Sequence, residues 1–214
     1  HKDFYIALGY KAEVIKEYFL TLNAKNSDFS MKHSTVKVTT HNTDGMEWNV
    51  TLVDTGQDSL TGGRVKRMQP FIGNKPFMLT YGDGVANVDI QAILDFHKKH
   101  GKLMTMTSAQ PDGRFGALDI NENDKVVAFK EKPRGDDSWI NAGYFICQPE
   151  VLDYIPQGDD AVLEQEPLKN LAKDGQIYTY KHNDFWMPMD SLRDKIKLDE
   201  MCESQDAPWM VWDK

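Results

Sequence analysis

The residue most clearly suited to binding a ligand is Asp83, in the run Tyr81-Gly82-Asp83-Gly84. A predicted strand ends directly before this run, and open α/β sheets bind ligands at the carboxyl ends of their strands. The flanking glycines would let a phosphate approach the backbone closely. The alternative is that Asp83 only caps a turn, as Asp-Gly pairs often do. The pattern alone leaves a ligand carboxylate and a turn residue open.

A second carboxylate, Asp190, follows Phe185-Trp186-Met187-Pro188-Met189 and precedes the last predicted helix. The backbone amides at a helix N-terminus favour anions. Taken alone, Asp190 is therefore better explained as an N-cap or first-turn residue than as a ligand. The aromatic and Met-rich run before it is typical of a core or an interface.

Two further segments could bind phosphate or sugar. In Phe129-Lys130-Glu131-Lys132-Pro133, Glu131 could accept hydrogen bonds from hydroxyls and Lys132 could pair with a phosphate. The alternative is a solvated run of charges, which is the more usual explanation. Thr61-Gly62-Gly63-Arg64 is similar to a phosphate nest with an arginine at a helix start. Its alternative is a glycine turn before a helix.

The elements that must position these residues alternate between strands and helices. Periodicity predicts strands over 3–8, 34–42, 47–54, 76–81, 103–108, 116–120, 125–130, 139–147 and 177–180. It predicts helices around 14–19, from Asp89 as N-cap to Gly101, over 162–172, and from Ser191 to Leu198. The strands at 3–8 and 76–81 are expected to be buried, and turns are expected at 42–45 and 121–124. This order predicts an α/β fold with a doubly wound, mostly parallel sheet.

Composition excludes several function classes. The net charge of -8 argues against nucleic-acid binding, because no local basic stripe offsets it. No apolar run reaches the roughly 20 residues that span a bilayer, so we expect no membrane insertion. The six histidines form no HxH or HxxxH pair that would indicate zinc or Ser-His-Asp chemistry. Cys147 and Cys202 lack metal or redox spacing, which favours a reducing, cytoplasmic setting.

In their order along the chain, these motifs resemble the sugar-1-phosphate nucleotidyltransferases, and within them the glucose-1-phosphate cytidylyltransferases (CDP-glucose pyrophosphorylases). The resemblance runs from residue 3 to about 212. It rests on Trp48-Asn49-Val50-Thr51-Leu52-Val53-Asp54-Thr55-Gly56, Thr61-Gly62-Gly63-Arg64, Tyr81-Gly82-Asp83-Gly84-Val85, Gly113-Arg114-Phe115-Gly116-Ala117-Leu118, Phe129-Lys130-Glu131-Lys132-Pro133, Asn141-Ala142-Gly143-Tyr144-Phe145, Glu164-Gln165-Glu166-Pro167-Leu168 and Phe185-Trp186-Met187-Pro188-Met189-Asp190.

The resemblance implies a Rossmann-like, mixed sheet of the nucleotide-diphospho-sugar transferase type, with helices on both faces. It implies a reaction in which CTP and glucose 1-phosphate give CDP-glucose and pyrophosphate with Mg²⁺. By motif match, Asp83 and Asp190 would hold the metal, and Lys132 would bind the sugar phosphate. The sugar would meet Gly116, Glu131 and Asn141, and the nucleotide would meet Ser59, Arg64 and Gly82. Two carboxylates suit Mg²⁺, which keeps phosphate oxygens and water as its other ligands.

The resemblance also implies a single nucleotidyltransferase-like domain over 1–214, with a nucleotide-binding half (1–109), a sugar-phosphate-binding half (110–190) and a C-terminal helix and tail (191–214). The family's opening strand, its Gly-Gly-x-Gly-Thr-Arg loop and the Lys-Pro segment after it are not among these residues. Relative to the family we therefore expect a truncated chain that lacks the first strand and has little activity alone. We expect rearranged strands or a partner chain, in a homo-oligomer, to fill the gap.

Two other functions stay open from the sequence. The chain could be a non-catalytic binding or assembly module that retains a sugar-phosphate or nucleotide pocket. It could also be a remnant that folds and binds nothing. Binding and turnover of glucose 1-phosphate and CTP, each with Mg²⁺, separate these functions from an enzyme.

Overall fold

The computed structural model describes residues 1–41, 47–111, 117–130 and 138–211. The chain forms two compact units, one made of 1–73 with 152–170 and the other of 74–151 with 171–214. The predicted halves 1–109 and 110–190 remain a prediction. Among the described residues, no helix combines the length and apolar composition that crossing a bilayer requires.

The first unit contains a parallel strand pair, a hairpin, one helix of 14 residues and shorter helices. Its elements are β1 (Asp3–Leu8), α1 (Ala12–Lys25), β2 (Asp28–Lys32), β3 (Lys37–His41), β4 (Asn49–Asp54), α2 (Thr61–Arg67) and α3 (Gln69–Ile72). β1 pairs in parallel with β4, and β2 pairs with β3 in antiparallel. The predicted turn at 42–45 lies outside the described residues.

The prediction that β1 is a buried strand is wrong. Of its six residues only Leu8 is buried, while Phe4 is 40% exposed and Tyr5 47% exposed. The reason is that, among the described strands, β1 has β4 as its sole partner, so this two-stranded sheet covers little of its own surface. β2 was not predicted, although Asp28-Phe29-Ser30-Met31-Lys32 alternates polar and apolar residues as strands do.

The second unit is built on a four-stranded mixed sheet. Along the chain the further elements are β5 (Phe77–Thr80), β6 (Gly84–Ala86), α4 (Ile90–His100), β7 (Met104–Ala109), β8 (Ala117–Ile120), β9 (Val126–Lys130), β10 (Ile140–Cys147), a 3-10 helix (Pro149–Tyr154), α5 (Glu166–Lys173), β11 (Ile177–His182), β12 (Trp186–Pro188) and α6 (Leu192–Glu203). The strand order is β11-β7-β10-β5. β11 and β7 are parallel, and β10 runs antiparallel to both β7 and β5. The sheet is therefore mixed, as the family resemblance implies, with one parallel and two antiparallel strand pairs.

The core of this unit surrounds β7 and includes the side of α4 that packs on it. Met104, Thr105 and Thr107 on β7 are fully buried, and Ile93 and His97 of α4 are each 3% exposed. The predicted ends of α4 are confirmed. The Asp89 side chain accepts a hydrogen bond from the Ala92 amide at 2.9 Å, and Gly101 closes the helix at a φ of +62°.

Other predicted elements occur with shifted bounds. α5 starts after the predicted residue 162, because residues 162–165 form a turn in which the Gln165 amide donates to the Val162 carbonyl. α6 starts at the predicted cap, Ser191, and continues past Leu198. β5 was predicted to be buried, but its side chains alternate between half-buried and exposed, because β10 is its one partner among the described strands. β8 and β9 form the predicted hairpin.

Candidate functional site

The short β6–β12 ladder places Asp83 and Asp190 at one end of the same strand pair. Gly84, the residue after Asp83, lies opposite Pro188 in the antiparallel register. One step further along, the Met189 amide donates a hydrogen bond to the Asp83 carbonyl at 2.6 Å. Asp83 therefore lies opposite Met189, the residue before Asp190, although the two aspartates are distant in sequence.

Asp83 and Asp190 are exposed. Within the described part of the chain, neither carboxylate makes a hydrogen bond or an ion pair. The simpler explanations of the two residues are therefore not observed. Asp83 does not close its own turn, and the cap of α6 is Ser191, whose side chain accepts from the Asp194 amide at 3.3 Å.

The backbone that carries Asp83 is held by an irregular stretch of β10. The β10–β7 register shifts between Asn141 and Phe145, and Gly143 adopts a φ of +82° there. The Gly143 carbonyl accepts a hydrogen bond from the Tyr81 amide at 3.0 Å. A Cβ on Gly143 would lie 2.6 Å from the Tyr81 ring, so both the conformation and the space require glycine.

Two side-chain hydrogen bonds connect the same irregular stretch of β10 to the β6–β12 strand pair. The Tyr144 hydroxyl donates to the Gly84 carbonyl at 2.9 Å, and the Trp186 indole N–H donates to the Ala142 carbonyl at 2.8 Å. Burial raises the pKa of Tyr144, which keeps its hydroxyl a donor. These aromatic anchors were not identified from the sequence, where the run around Trp186 was interpreted as core or interface.

Asn141 lies at the start of this irregular stretch of β10, and its side chain keeps part of its hydrogen-bonding capacity. Its side-chain oxygen accepts from the Gly143 amide at 2.9 Å, and its NH₂ group donates to the Tyr81 hydroxyl at 3.1 Å. A half-buried amide retains one further N–H and one further lone pair after these two bonds. Gly82 presents open backbone, since a Cβ added there would meet no atom within 4 Å.

Three of the predicted sugar and phosphate residues, Gly116, Glu131 and Lys132, lie outside the described residues. Among the described residues no group of three or more His, Cys, Asp or Glu side chains could hold a metal ion. A metal at Asp83 and Asp190 would therefore have few protein ligands and would keep water or phosphate oxygens. This is the coordination that Mg²⁺ prefers over closed protein cages.

In the first unit, Arg64 is bonded internally. Its guanidinium donates to the Leu8 and Gly56 carbonyls at 3.0 and 2.9 Å, to the Thr55 hydroxyl at 2.9 Å and to the Gln57 carbonyl at 3.0 Å. These bonds join the end of β1 to the turn after β4. The predicted nucleotide contact of Arg64 remains a prediction, and it requires some of these bonds to be exchanged.

Ser59 is similarly engaged and is 4% exposed. Its hydroxyl donates to the Thr55 carbonyl at 2.6 Å, lies 2.9 Å from an Asp159 carboxylate oxygen and accepts from Arg67 at 2.8 Å. Arg67 also forms an ion pair with Asp159. The predicted nucleotide contact of Ser59 likewise stays a prediction.

The hypothesis that Thr61-Gly62-Gly63-Arg64 forms a phosphate nest is wrong in this structure. The Gly63 amide donates to the Ala161 carbonyl at 3.0 Å. A Cβ on Gly62 would lie 2.8 Å from the Ala161 oxygen, and one on Gly63 would lie 2.8 Å from the Gly158 oxygen. The two glycines therefore allow α2 to pack closely on a neighbouring backbone segment.

A second polar cluster, formed by His97, His100, Thr105 and Gln148, lies between α4 and the sheet. Nδ1 of His97 and Nε2 of His100 lie 2.8 and 2.6 Å from the Thr105 hydroxyl, and the Gln148 side chain lies 3.0 Å from Nε2 of His97. Burial lowers the pKa of both histidines. Their ring nitrogens are bonded within the core, so this cluster supports packing rather than catalysis.

Comparison with known proteins identifies the family of the chain. The nucleotidyl transferase family model matches residues 14–197. A glucose-1-phosphate cytidylyltransferase of Salmonella typhimurium is 47% identical over 213 residues, which are 99% of this chain and 82% of that protein. A probable glucose-1-phosphate cytidylyltransferase of Bacillus subtilis is 37% identical over 210 residues, 98% of this chain and 82% of that protein.

Solved structures show the same fold at low sequence identity. HddC from Yersinia pseudotuberculosis has a TM-score of 0.65 at 18% identity, covering 94% of this chain and 79% of that one. An apo UDP-glucose pyrophosphorylase has a TM-score of 0.62 at 14% identity, covering 95% and 82%. The fold is thus the α/β fold of the nucleotide-diphospho-sugar transferases. Together with the family match and the sequence relatives, this shows that the chain belongs to the nucleotidyl transferase family.

Proposed function

We propose that the chain carries the metal and sugar-phosphate site of an enzyme that joins CTP and glucose 1-phosphate into CDP-glucose and pyrophosphate. The observation that carries this proposal is the placement of Asp83 and Asp190 at the end of one strand pair, with both carboxylates free of protein partners among the described residues. The two cytidylyltransferases that match nearly the whole chain support CTP and glucose 1-phosphate as its substrates.

Asp83 and Asp190 fit a Mg²⁺ ion. Their carboxylates are hard oxygen ligands, exposed and unpaired within the described residues. Mg²⁺, when bound, would neutralise negative charge on phosphate oxygens. Replacing either carboxylate by an amide would remove one of the two negative charges that hold the ion.

The rest of the proposed chemistry is alignment. An oxygen of the sugar phosphate attacks the α-phosphorus of CTP, a new P–O bond forms, and the bond to the β-phosphate oxygen breaks to release pyrophosphate. Such transfers depend on positioning and charge neutralisation more than on covalent help from the protein. In this proposal Lys132 binds the sugar phosphate, Asn141 binds a sugar hydroxyl and Gly82 lets the nucleotide phosphate approach the backbone.

The remaining assignments follow the family pattern. Gly116 and Glu131 would complete the sugar site. The nucleotide contacts of Ser59 and Arg64 that the family pattern predicts are not part of this proposal, because the polar groups of both residues already serve internal hydrogen bonds.

Calorimetric titration of the 214-residue chain tests the proposal. We expect glucose 1-phosphate to bind in the presence of Mg²⁺ and to bind weakly after EDTA treatment. A parallel assay follows CDP-glucose formation from CTP. Turnover supports the enzyme, whereas Mg²⁺-dependent binding without turnover supports a non-catalytic module. If neither glucose 1-phosphate nor CTP binds, the proposed function is wrong.

We also propose that the chain is a homo-oligomer. Its first unit exposes large apolar side chains on α1 and on the segment joining β2 and β3, with Leu20 83% exposed and Val36 78% exposed. Apolar surface of this extent marks interaction sites on soluble proteins. Light scattering that gives the mass of a single chain would contradict this proposal.

A further inference from the structure

A row of three polar side chains crosses the sheet of the second unit. In the parallel β11–β7 register Lys181 pairs with Ser108, and in the antiparallel β10–β7 register Ser108 pairs with Asn141. Directly paired residues of neighbouring strands point to the same face of a sheet. Lys181, Ser108 and Asn141 therefore share one face, with Asn141 at the end nearest β5.

Side-chain contacts identify which face this is. Tyr178 stacks on His100 and Tyr180 packs edge-on against Phe96, so these two tyrosines face α4. Residues between them on β11 point the opposite way, and the Thr179 hydroxyl indeed bonds to the Ser108 hydroxyl at 2.8 Å. Lys181 therefore lies on the face away from α4, together with Asn141.

Among the residues that the structure describes, Trp139, and no acid, orients the Lys181 ammonium. The ammonium lies 5.0 Å from the centroid of the Trp139 ring, an arrangement that orients a cation while leaving its N–H groups available. Among the described residues Lys181 has no carboxylate partner, unlike Lys169 and Lys195, which pair with acids on their own helices. An exposed lysine held in this way can donate to an oxygen-rich ligand.

The strand order places Lys181 at the far side of Asn141 from the metal carboxylates. β5 leads into Asp83 at one edge of the sheet and β11 carries Lys181 at the other, with Asn141 between them on β10. Two strand spacings, about 10 Å, separate the backbones of Lys181 and Asn141, and a lysine side chain spans much of that distance.

We propose that Lys181, oriented by Trp139, determines sugar specificity by donating to a hydroxyl at the end of the hexose remote from its phosphate, on C4 or C6. This inference rests on the proposed function, in which the phosphate lies near Asp83 and the sugar meets Asn141. A phosphate anchored at one edge of the sheet and a sugar ring over β10 direct that remote end toward β11.

Calorimetric affinities of three ligands test this proposal, namely glucose 1-phosphate and its 4-deoxy and 6-deoxy analogues, all with Mg²⁺. The variant is Lys181→Met, which keeps an apolar stem over Trp139 and removes the donor. The matched control is Lys99→Met, which removes one positive charge from an exposed position of α4, the helix that packs on the other face. Lys181→Arg restores a charged donor.

We expect Lys181→Met to weaken binding of glucose 1-phosphate by about tenfold, the effect of losing a hydrogen bond from a charged donor. We expect one deoxy analogue to bind wild type and Lys181→Met equally, because its missing hydroxyl is the one that Lys181 contacts. Lys181→Arg should recover most of the affinity, and Lys99→Met should match wild type.

Equal weakening of all three ligands in Lys181→Met would overturn the inference, since it would indicate a general effect of charge or packing. Unchanged affinity for glucose 1-phosphate would overturn it as well, while leaving the proposed function intact. Failure of the wild-type chain to bind any of the three ligands would overturn the proposed function and this inference together.

Discussion

The carboxylate pair of the second unit and the arginine cluster of the first differ in how they use their polar groups. The side-chain carboxylates of Asp83 and Asp190 make no hydrogen bond or ion pair within the described residues. Arg64, by contrast, donates to four internal acceptors, and Ser59 is buried among three polar partners. The same family pattern predicted ligand contacts in both places.

This difference helps to distinguish ligand-binding residues from structural ones when the sequence predicts ligand contacts for both. A polar group whose bonds are already made inside the protein must exchange them to bind a ligand, and leaving a buried acceptor unpaired costs free energy. A polar group without protein partners has no such cost. The difference favours the carboxylate pair over the arginine cluster as the ligand site that we propose, because the hydrogen bonds of Arg64 join β1 to the turn after β4 within the first unit.

The largest expected effect is on the carboxylate pair. Asp83→Asn or Asp190→Asn should lower CDP-glucose formation, where the chain shows turnover, by roughly a thousandfold, because phosphoryl-type transfers depend on metal charge neutralisation. The melting temperature should stay within about 2 °C of wild type, since neither carboxylate stabilises the fold. Asp206→Asn, at an exposed position, is the control. A large loss of stability in either variant would mean that the carboxylates are structural.

Arg64→Met should show the opposite behaviour. We expect the free energy of unfolding, measured in urea, to fall by about 3 kcal/mol, because a charged donor to four acceptors is lost. CTP affinity of the folded variant should hardly change. Arg193→Met, at an exposed position of α6, controls for the loss of charge. Weaker CTP binding with unchanged stability would restore the predicted nucleotide contact.

Gly143→Ala should disturb the backbone that carries Asp83. The added methyl carbon would lie only 2.6 Å from Cδ2 of the Tyr81 ring, and the φ of +82° disfavours alanine. Gly101 also has a positive φ but an open surrounding, so Gly101→Ala isolates the conformational cost. We expect Gly143→Ala to cost about 2 kcal/mol more than Gly101→Ala in urea unfolding. If both variants lose the same free energy of unfolding, the Tyr81 side chain moves away from the added methyl group without measurable cost.

The smallest expected effect is a pH dependence from His97 and His100. Burial lowers the pKa of both below the ordinary value of 6.5, with the charge of His100 adding to the effect on His97 and that of Lys102 to the effect on His100. Protonating His100 would also set an N–H against the Lys102 amide, which donates to its Nδ1 at 3.0 Å. The folded state therefore binds protons less readily than the unfolded chain.

The sign follows from linkage. The stability contributed by neutral His97 and His100 is fully present above the unfolded pKa of 6.5. It is lost as the pH falls from there toward the lower pKa values of the folded state. Urea midpoints should therefore decrease from about pH 7.5 to about pH 5.5, a range in which unperturbed histidines titrate. His100→Phe, which keeps a ring next to Tyr178, should reduce this decrease. An identical decrease in the variant would exclude His100 as its source.

Local patterns in the sequence predicted α4, α6 and the β8–β9 hairpin, because caps, turn residues and apolar periodicity act over a few positions. They did not predict the exposure of β1, which depends on which strands pair with it. They also could not show that Arg64 is occupied, because its acceptors on Leu8 and Gly56 come from different segments. The pairing of Asp83 with Asp190 entered through a family resemblance and remains a prediction, and the register of β6 and β12 shows only that both residues follow or precede the same strand pair.

The most direct test of the central claim is a titration with Mn²⁺, a paramagnetic substitute for Mg²⁺ at carboxylate sites, followed by electron paramagnetic resonance with glucose 1-phosphate present. Wild type and Arg64→Met should bind the ion with equal affinity, whereas Asp83→Asn and Asp190→Asn should weaken its binding by at least about tenfold. Mn²⁺ binding that survives both aspartate substitutions, or that is lost in Arg64→Met, would contradict the account.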